Sequence, residues 1–412
     1  MTEAYSKTKL DNGLRVLSEN IPHLRSIAIG VWITLGSRDE TAEINGMAHL
    51  IEHMVFKGTQ KRSAADIALS LEAVGGSLDA FTSKEVTCFS AHVLDEHLEL
   101  AVDVLSDLVL NPTFPEAEYE KEKQVIIREI HHTLETPDDL IFEYFFQNIY
   151  PDHALGFPIA GTLESVNRIQ RPEMLRFIEQ YYTPDRMVIA AAGNVNHAEL
   201  VELVQKYFRT DSRTSARHLE APQWPASGRQ NYFSTGSQAH ICLGVPGYAF
   251  SDDKKYDLLL IGNYLGNGMS SRLFQVVREQ HGLVYTIFSF PEFFLDSGLM
   301  GIYAATQTEH AEKVLELIHQ EIEAIHTRPF DVHELDRLKA HVKGNLMLSL
   351  ENTSSRMSRL ANMEILLQDF ISLDQVLASV EACTLRSIRD VARETLAPKQ
   401  FVITVLAPDR NE

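Results

Sequence analysis

The 412-residue chain carries an internal repeat, so a fold adopted by one half must also suit the other. Around Leu163 it reads LESVNRIQRPEMLRFIEQYYTPDRMVIAAAG, and around Leu377 it reads LASVEACTLRSIRDVARETLAPKQFVITVLA. Leu163, Ser165, Val166 and Pro184 meet Leu377, Ser379, Val380 and Pro398 at a single offset of 214. In both copies an amphipathic helix is predicted to end at a proline. An apolar, β-rich run follows, Met187–Ala192 in one copy and Phe401–Leu406 in the other. A second echo lies upstream, where FSAHVLDEHLELAVDVL matches IYAATQTEHAEKVLELI. It sets Glu96 and His97 over Glu309 and His310, and Phe114 then falls on Phe330. Offsets stay between 213 and 216. Two echoes in one order imply a duplicated domain of about 200 residues. Residues 211–229 (DSRTSARHLEAPQWPASGR) carry Ser, Pro and charge without periodicity. The expected division is a domain at 1–212, a linker at 213–229 and a domain at 230–412.

Each half mixes strands with long helices. Ile27–Leu35, Thr87–Val93, Ile241–Val245, Thr286–Phe290 and Met300–Ala304 read as strands. Helical periodicity covers Gly46–Lys57, Ala64–Val74, Glu96–Leu110 and Glu116–Thr133. Two similar α+β domains are expected, each a mixed or antiparallel sheet with helices gathered on one side. The periodicity does not dictate the strand order.

Charge and cysteine content narrow the function. Lys and Arg total 37 against 57 Asp and Glu, a net charge of −20. Such a chain repels phosphate backbones and anionic lipid faces, so neither nucleic acid nor a membrane surface is an expected partner. Cys88, Cys242 and Cys383 lie far apart with no CxxC pair, which argues against a disulfide framework or a thiolate zinc knuckle. The N-terminus is polar from the start, with no apolar core of a signal peptide, and the longest apolar run, Ile27–Leu35, falls far short of the ~20 residues of a membrane span. A cytoplasmic location is expected.

Residues 46–58 read GMAHLIEHMVFKG. On a helix, His49 and His53 share a face one turn apart, and Glu52 projects from the same side. Two imidazoles at this spacing can grip one zinc ion through neutral nitrogens, and a carboxylate beside the metal can take a proton from water. H-x-x-E-H is the inverted relative of H-E-x-x-H. With 17 His and 57 acidic residues, random placement yields about 0.1 such pentapeptides, so the motif is informative but incomplete. A catalytic zinc site needs a third protein ligand and an open position. The helix after Pro115 offers one. Val125, Ile126, Ile127 and Ile130 define its expected buried side, and Glu129 sits among them, where an unpaired carboxylate would be costly. Glu122 lies two turns earlier on roughly the same stripe and is placed to stand behind the site. His92, His97, His131 and His132 are expected to be solvated or structural.

These residues resemble the ligand pattern of the pitrilysin family of zinc metallopeptidases: HLIEH, then a helical glutamate, Glu129, within VIIREI. The flanking stretches GMAHLIEHMVFKGT and GGSLDAFTSKEVTCFSAHV match as well. The likeness covers nearly the whole chain and is strongest to short bacterial members similar to the mitochondrial processing peptidase β-subunit. It implies two α+β domains of like fold per chain, and two chains closing as a clamshell around a chamber. It also implies that His49, His53 and Glu129 bind Zn2+, that Glu52 is the general base, and that Glu122 is the family's auxiliary glutamate. Peptides or unfolded segments would be the substrates, and a homodimer the assembly.

At an offset of 216, His49, His53 and Glu129 fall on Leu265, Met269 and Asn345, none of which can replace its counterpart. The second half is therefore expected to be metal-free, with one zinc per chain. It instead carries Arg278 and Tyr285, seven apart with Gly282 between. These resemble the family's arginine–tyrosine pair, which reaches the substrate carbonyl. Gly76–Ala80 with Phe81 and Thr82 resembles the family's substrate-binding edge strand, with Asp79, Ala80 and Phe81 as contacts. Asp79 stands where the family usually has asparagine. Two other readings remain: a non-catalytic partner or scaffold subunit of a processing-peptidase-like complex, and a zinc-stabilised structural module. The first generally lacks the ligand set, and the second usually closes with four ligands.

Overall fold

The computed structural model describes residues 5–217, 219–327, 330–397 and 400–409. Pro398 of the repeat lies outside them. The chain forms two compact units, one of Met1–Ile130, Phe157–Leu219 and Ser349–Phe370, the other of His131–Gly156, Glu220–Leu348 and Ile371–Glu412. Neither unit is contiguous, so the expected division at 213–229 is crossed by two further segments.

In the first unit the strands are β1 (Tyr5–Lys9), β2 (Arg15–Asn20), β3 (Ser26–Ile33), β4 (Ser77–Thr82), β5 (Thr87–Leu94) and β6 (Met187–Gly193). They lie in the order β1-β2-β6-β3-β5-β4, antiparallel except for β2 with β6. The second unit holds β7 (Gly228–Ser234), β8 (Gln238–Pro246), β9 (Val284–Phe293), β10 (Gly298–Gln307) and β11 (Val402–Pro408). Their order is β7-β11-β8-β10-β9, and only β7 and β11 run parallel. Strand for strand this is the first sheet without β1. The two units are similar α+β domains, as the repeat requires.

The helices that matter for the site are α1 (Met47–Val55), α2 (Ala64–Glu72), α3 (Leu98–Leu110), α4 (Glu116–Glu135) and α5 (Pro137–Ile149). A single 3-10 turn, Asp95–His97, leads into α3. From Ile27 onward β3 is buried at every residue, because both faces of its sheet are covered. Ile27, Ile29, Val31 and Ile33 join Leu50, Met54, Val104 and Leu105 of α1 and α3 in one core. On the opposite face, Ala28 and Trp32 pack with Met357, Leu360, Ala361 and Ile365 of the helix Thr353–Leu367. Each fully buried side chain of this size contributes roughly 1.5–3 kcal/mol. The expectation of helices on one side of the sheet is thus corrected.

The covering helix comes from late in the chain, and a buried Glu19 accepts from Arg356 to tie it to β2. In the second unit α5 plays the same part, with Ile141, Phe145 and Ile149 packing on Cys242 and Leu406. Gly244 allows that approach, since a Cβ there would meet Ile149 at 2.4 Å. The first residues of the two covering helices, Pro137 and Thr353, stand 216 apart, so equivalent helices are exchanged between the halves. Cys88, Cys242 and Cys383 are free and buried. Among the described residues no helix is long and apolar enough to cross a membrane.

Candidate metal centre

Met47, Ala48, Leu50, Ile51, Met54 and Val55 bury most of the circumference of α1, leaving His49, Glu52 and His53 together on the remaining stripe. The helix begins at Gly46, whose φ of 93° is open to glycine and strained for other residues. The buried Glu40 closes this N-terminus. One of its oxygens accepts from the Ala48 amide at 2.7 Å, and the other accepts from the Gly46 amide at 2.8 Å and from Asn45 Nδ2 at 2.9 Å. Burial pushes the Glu40 carboxyl up to about 7, and these three donors oppose the shift. Asn45 also donates to the Pro158 carbonyl, and Ser165 Oγ donates to the Asn45 carbonyl, so the start of α1 is fastened from two sides.

α4 brings up the carboxylates. Glu129 Oε2 lies 4.0 Å from His49 Nε2 and 3.8 Å from His53 Nε2. His49, His53 and Glu129 each offer a ligand atom, all within 4.8 Å of one another, and no other such group occurs among the described residues. A tetrahedral zinc with bonds near 2.1 Å would separate its ligand atoms by roughly 3.4 Å, so small side-chain shifts suffice to close the set. The donor types, two imidazoles and one carboxylate, fit zinc. Burial, and then the neighbouring His53, lower His49 to about 4, which keeps its ring neutral as a ligand requires.

Of the two glutamates of α4, Glu129 is more exposed than its place among Ile126, Ile127 and Ile130 led one to expect. The Glu129 side chain is 46% exposed, at the rim of the buried stripe Tyr119, Glu122, Ile126 and Ile130. Glu122 is the buried one, and its Oε2 lies 3.2 Å from His53 Nδ1. A period of 3.6 places both on one stripe, but only packing decides where that stripe leaves the core. Glu122 thus stands behind His53. His49 Nδ1 is buried with no hydrogen-bond partner among the described residues.

Glu52 sits on the same helix and accepts from Thr82 Oγ1 at 2.5 Å. Burial raises its pKa, while the Thr82 donor and His53 lower it. Thr82 closes β4, the last strand in its sheet. Exposed and half-buried residues alternate along β4, so Asp79 and Phe81 face outward while Ala80 and Thr82 face the other way. Asp79 is close enough for its charge to raise Glu52 further. Sequence reasoning missed three contacts: Glu40, the Thr82 bond, and Lys57, whose Nζ lies 2.9 Å from Glu122 Oε1. An acidic residue ahead of the Gly46 N-terminus was the one available hint.

Among the other histidines, His92 Nε2 lies 3.4 Å from Thr353 Oγ1, and His97 lies beside Glu96 at 3.9 Å. In the second unit a π-helical segment, Phe274–Gln280, and a turn at Gly282 with φ of 64° precede β9. They bring the Arg278 guanidinium to 5.0 Å from the Tyr285 ring centroid, with Tyr285 76% exposed. Leu265 is buried on the helix Lys254–Gly266, Met269 is exposed beyond it, and Asn345 lies 3.4 Å from His341 Nε2.

Comparison with known proteins identifies the family and the fold. Residues 15–163 match the family model described as insulinase (peptidase family M16), and residues 168–342 match the one described as the peptidase M16 inactive domain. The two ranges meet upstream of the expected linker. The uncharacterized zinc protease YmxG of Bacillus subtilis is 40% identical over 401 residues, covering 97% of each chain. An uncharacterized zinc protease of Streptomyces coelicolor is 36% identical over 98% of this chain and 90% of its own. In fold, the chain is similar to a protease from Helicobacter pylori, with a TM-score of 0.93 at 22% identity over 98% of this chain and 100% of that one. It is likewise similar to a peptidase M16 inactive domain from Pseudomonas fluorescens, with a TM-score of 0.92 at 20% identity and 98% coverage of both.

Proposed function

The chain belongs to peptidase family M16, and from that premise we propose that it is a zinc-dependent endopeptidase acting on peptides or unfolded segments. One observation carries the reading: His49, His53 and Glu129 converge from two helices while Glu52 stands on the same stripe as the histidines. When bound there, zinc would polarise the scissile carbonyl and make water a nucleophile near neutral pH. Glu52 takes the proton of the attacking water and returns it to the leaving amine. Burial supports this role by making Glu52 a stronger base than an exposed carboxylate. Glu122 holds His53 from behind.

An extended substrate adds to the outer edge of β4 through backbone hydrogen bonds, beside Asp79, Ala80 and Phe81. Arg278 and Tyr285 supply a cation and a phenol for the developing oxyanion. The family resemblance supports one zinc per chain, a metal-free second half, and a homodimer that encloses its substrate in a chamber. The acidic charge disfavours nucleic-acid and membrane-surface partners, and the free cysteines suit a reducing, cytoplasmic setting.

Zinc content and hydrolysis of a quenched peptide, with and without chelator, test the proposal. Glu52→Gln is expected to keep about one zinc per chain and lose hydrolysis. Undiminished hydrolysis in that variant removes Glu52 as the base, and a zinc-free protein that still cleaves removes the metal mechanism.

A further inference from the structure

The far end of α1 carries a contact whose partner is a lysine. Lys57 lies two residues beyond the helix, and its Nζ is 2.9 Å from Glu122 Oε1. The other oxygen of that carboxylate, Oε2, is 3.2 Å from His53 Nδ1. Glu122 is 7% exposed and Lys57 is half-buried, its side chain at 29%. Both oxygens of one buried carboxylate are therefore committed, one to an ammonium and one to an imidazole. A carboxylate held at both oxygens cannot swing away from the ring without breaking an ion pair.

His53 gains an orientation that His49 lacks. A neutral imidazole carries one proton, and a carboxylate facing Nδ1 keeps it there. The lone pair is then on Nε2, the nitrogen 3.8 Å from Glu129 Oε2. His49 Nδ1 has no hydrogen-bond partner among the described residues, so its tautomer is not held in this way. The fixed ring is the one behind which Lys57 and Glu122 stand.

We infer that Lys57 is a positioning residue of the metal centre, acting through Glu122 to lock His53 in the orientation and tautomer that offer Nε2 to zinc. The inference rests on His49, His53 and Glu129 being the zinc ligands, and it concerns the metal site before any peptide is cleaved. Partners that orient a ligating histidine are typically worth 10–100-fold in metal affinity.

The test is zinc affinity, measured by competition with a chromophoric chelator, together with the visible spectrum of the cobalt-substituted protein. Lys57→Gln and Lys57→Met are expected to bind zinc about tenfold more weakly and to alter the cobalt bands, because both lose the ammonium. Lys57→Met keeps much of the length and packing of the stem and so controls for a simple cavity. Lys57→Arg is expected to restore affinity to within threefold and return the native spectrum. A loss below threefold in both neutral variants, or an equal loss in Lys57→Arg, overturns the inference. If the native protein binds zinc and cleaves peptide while the Lys57 variants match it, this inference alone fails. If the native protein binds no zinc, the functional reading fails first and takes this one with it.

Discussion

Thr82 Oγ1 donates to Glu52 Oε2 across 2.5 Å, so one hydrogen bond joins the sheet edge to the helix that carries both histidines. The side chain proposed to move the proton is thereby held relative to the strand proposed to carry the peptide. Thr82→Val keeps the shape and removes the donor. A hydrogen bond to a charged group contributes about 1.5–3 kcal/mol, so kcat/KM is expected to fall roughly tenfold or more while zinc content stays unchanged. Native kcat/KM in Thr82→Val would show that the bond does not position Glu52.

Glu40 predicts a pH dependence of stability. Its folded-state value of about 7 lies above its ordinary 4.5. The folded protein therefore holds this proton more tightly than the unfolded chain does. The contribution of Glu40 is greatest below pH 4.5, declines between 4.5 and 7, and is level above that. The interval corresponds to about 3 kcal/mol. Across it the native protein is expected to lose stability relative to Glu40→Gln, as read from denaturant unfolding of both proteins at pH 5 and pH 8. Parallel behaviour of the two would contradict the assignment.

Gly46→Ala tests how tightly the start of α1 is set. The native φ of 93° is unfavourable for alanine, and its Cβ would meet the Ala160 carbonyl at 2.7 Å. Strain of this kind costs about 1–3 kcal/mol. A lower melting temperature and weaker zinc binding are expected together, because the helix that must shift is the one bearing the histidines. A drop in melting temperature with native zinc affinity would separate the cap from the site.

Arg278→Ala and Tyr285→Phe probe the second unit. If this pair serves the developing oxyanion, each substitution is expected to lower kcat by about 10²–10³-fold, with zinc stoichiometry and melting temperature preserved. A rise in KM with kcat unchanged would assign the pair to ground-state binding instead.

The helix α1 was legible because periodicity and chemistry coincide there: six apolar positions claim most of its circumference and leave His49, Glu52 and His53 on one stripe. The strand β3 was legible as a continuous apolar run, but the helix on its second face was not. That helix, Thr353–Leu367, follows β3 by more than three hundred residues, and nothing local to either element names the other. Glu122 and Glu129 show the same limit. Their spacing put them on one stripe, while their burial depended on which neighbours arrive above each turn of α4.

Short-range order in this protein is a property of the chain: the helix with two histidines a turn apart and the glutamate-bearing helix that follows each arise from patterns within about twenty residues, and the repeat at offsets of 213–216 carries the same local patterns into the second half. Tertiary structure alone decided that equivalent helices are exchanged between the halves, that Glu122 rather than Glu129 is buried, and that Glu40, Lys57 and Thr82 brace the site. Those outcomes depend on contacts between residues far apart in the chain, where packing and the need to satisfy buried charge select the partner and local periodicity carries no information.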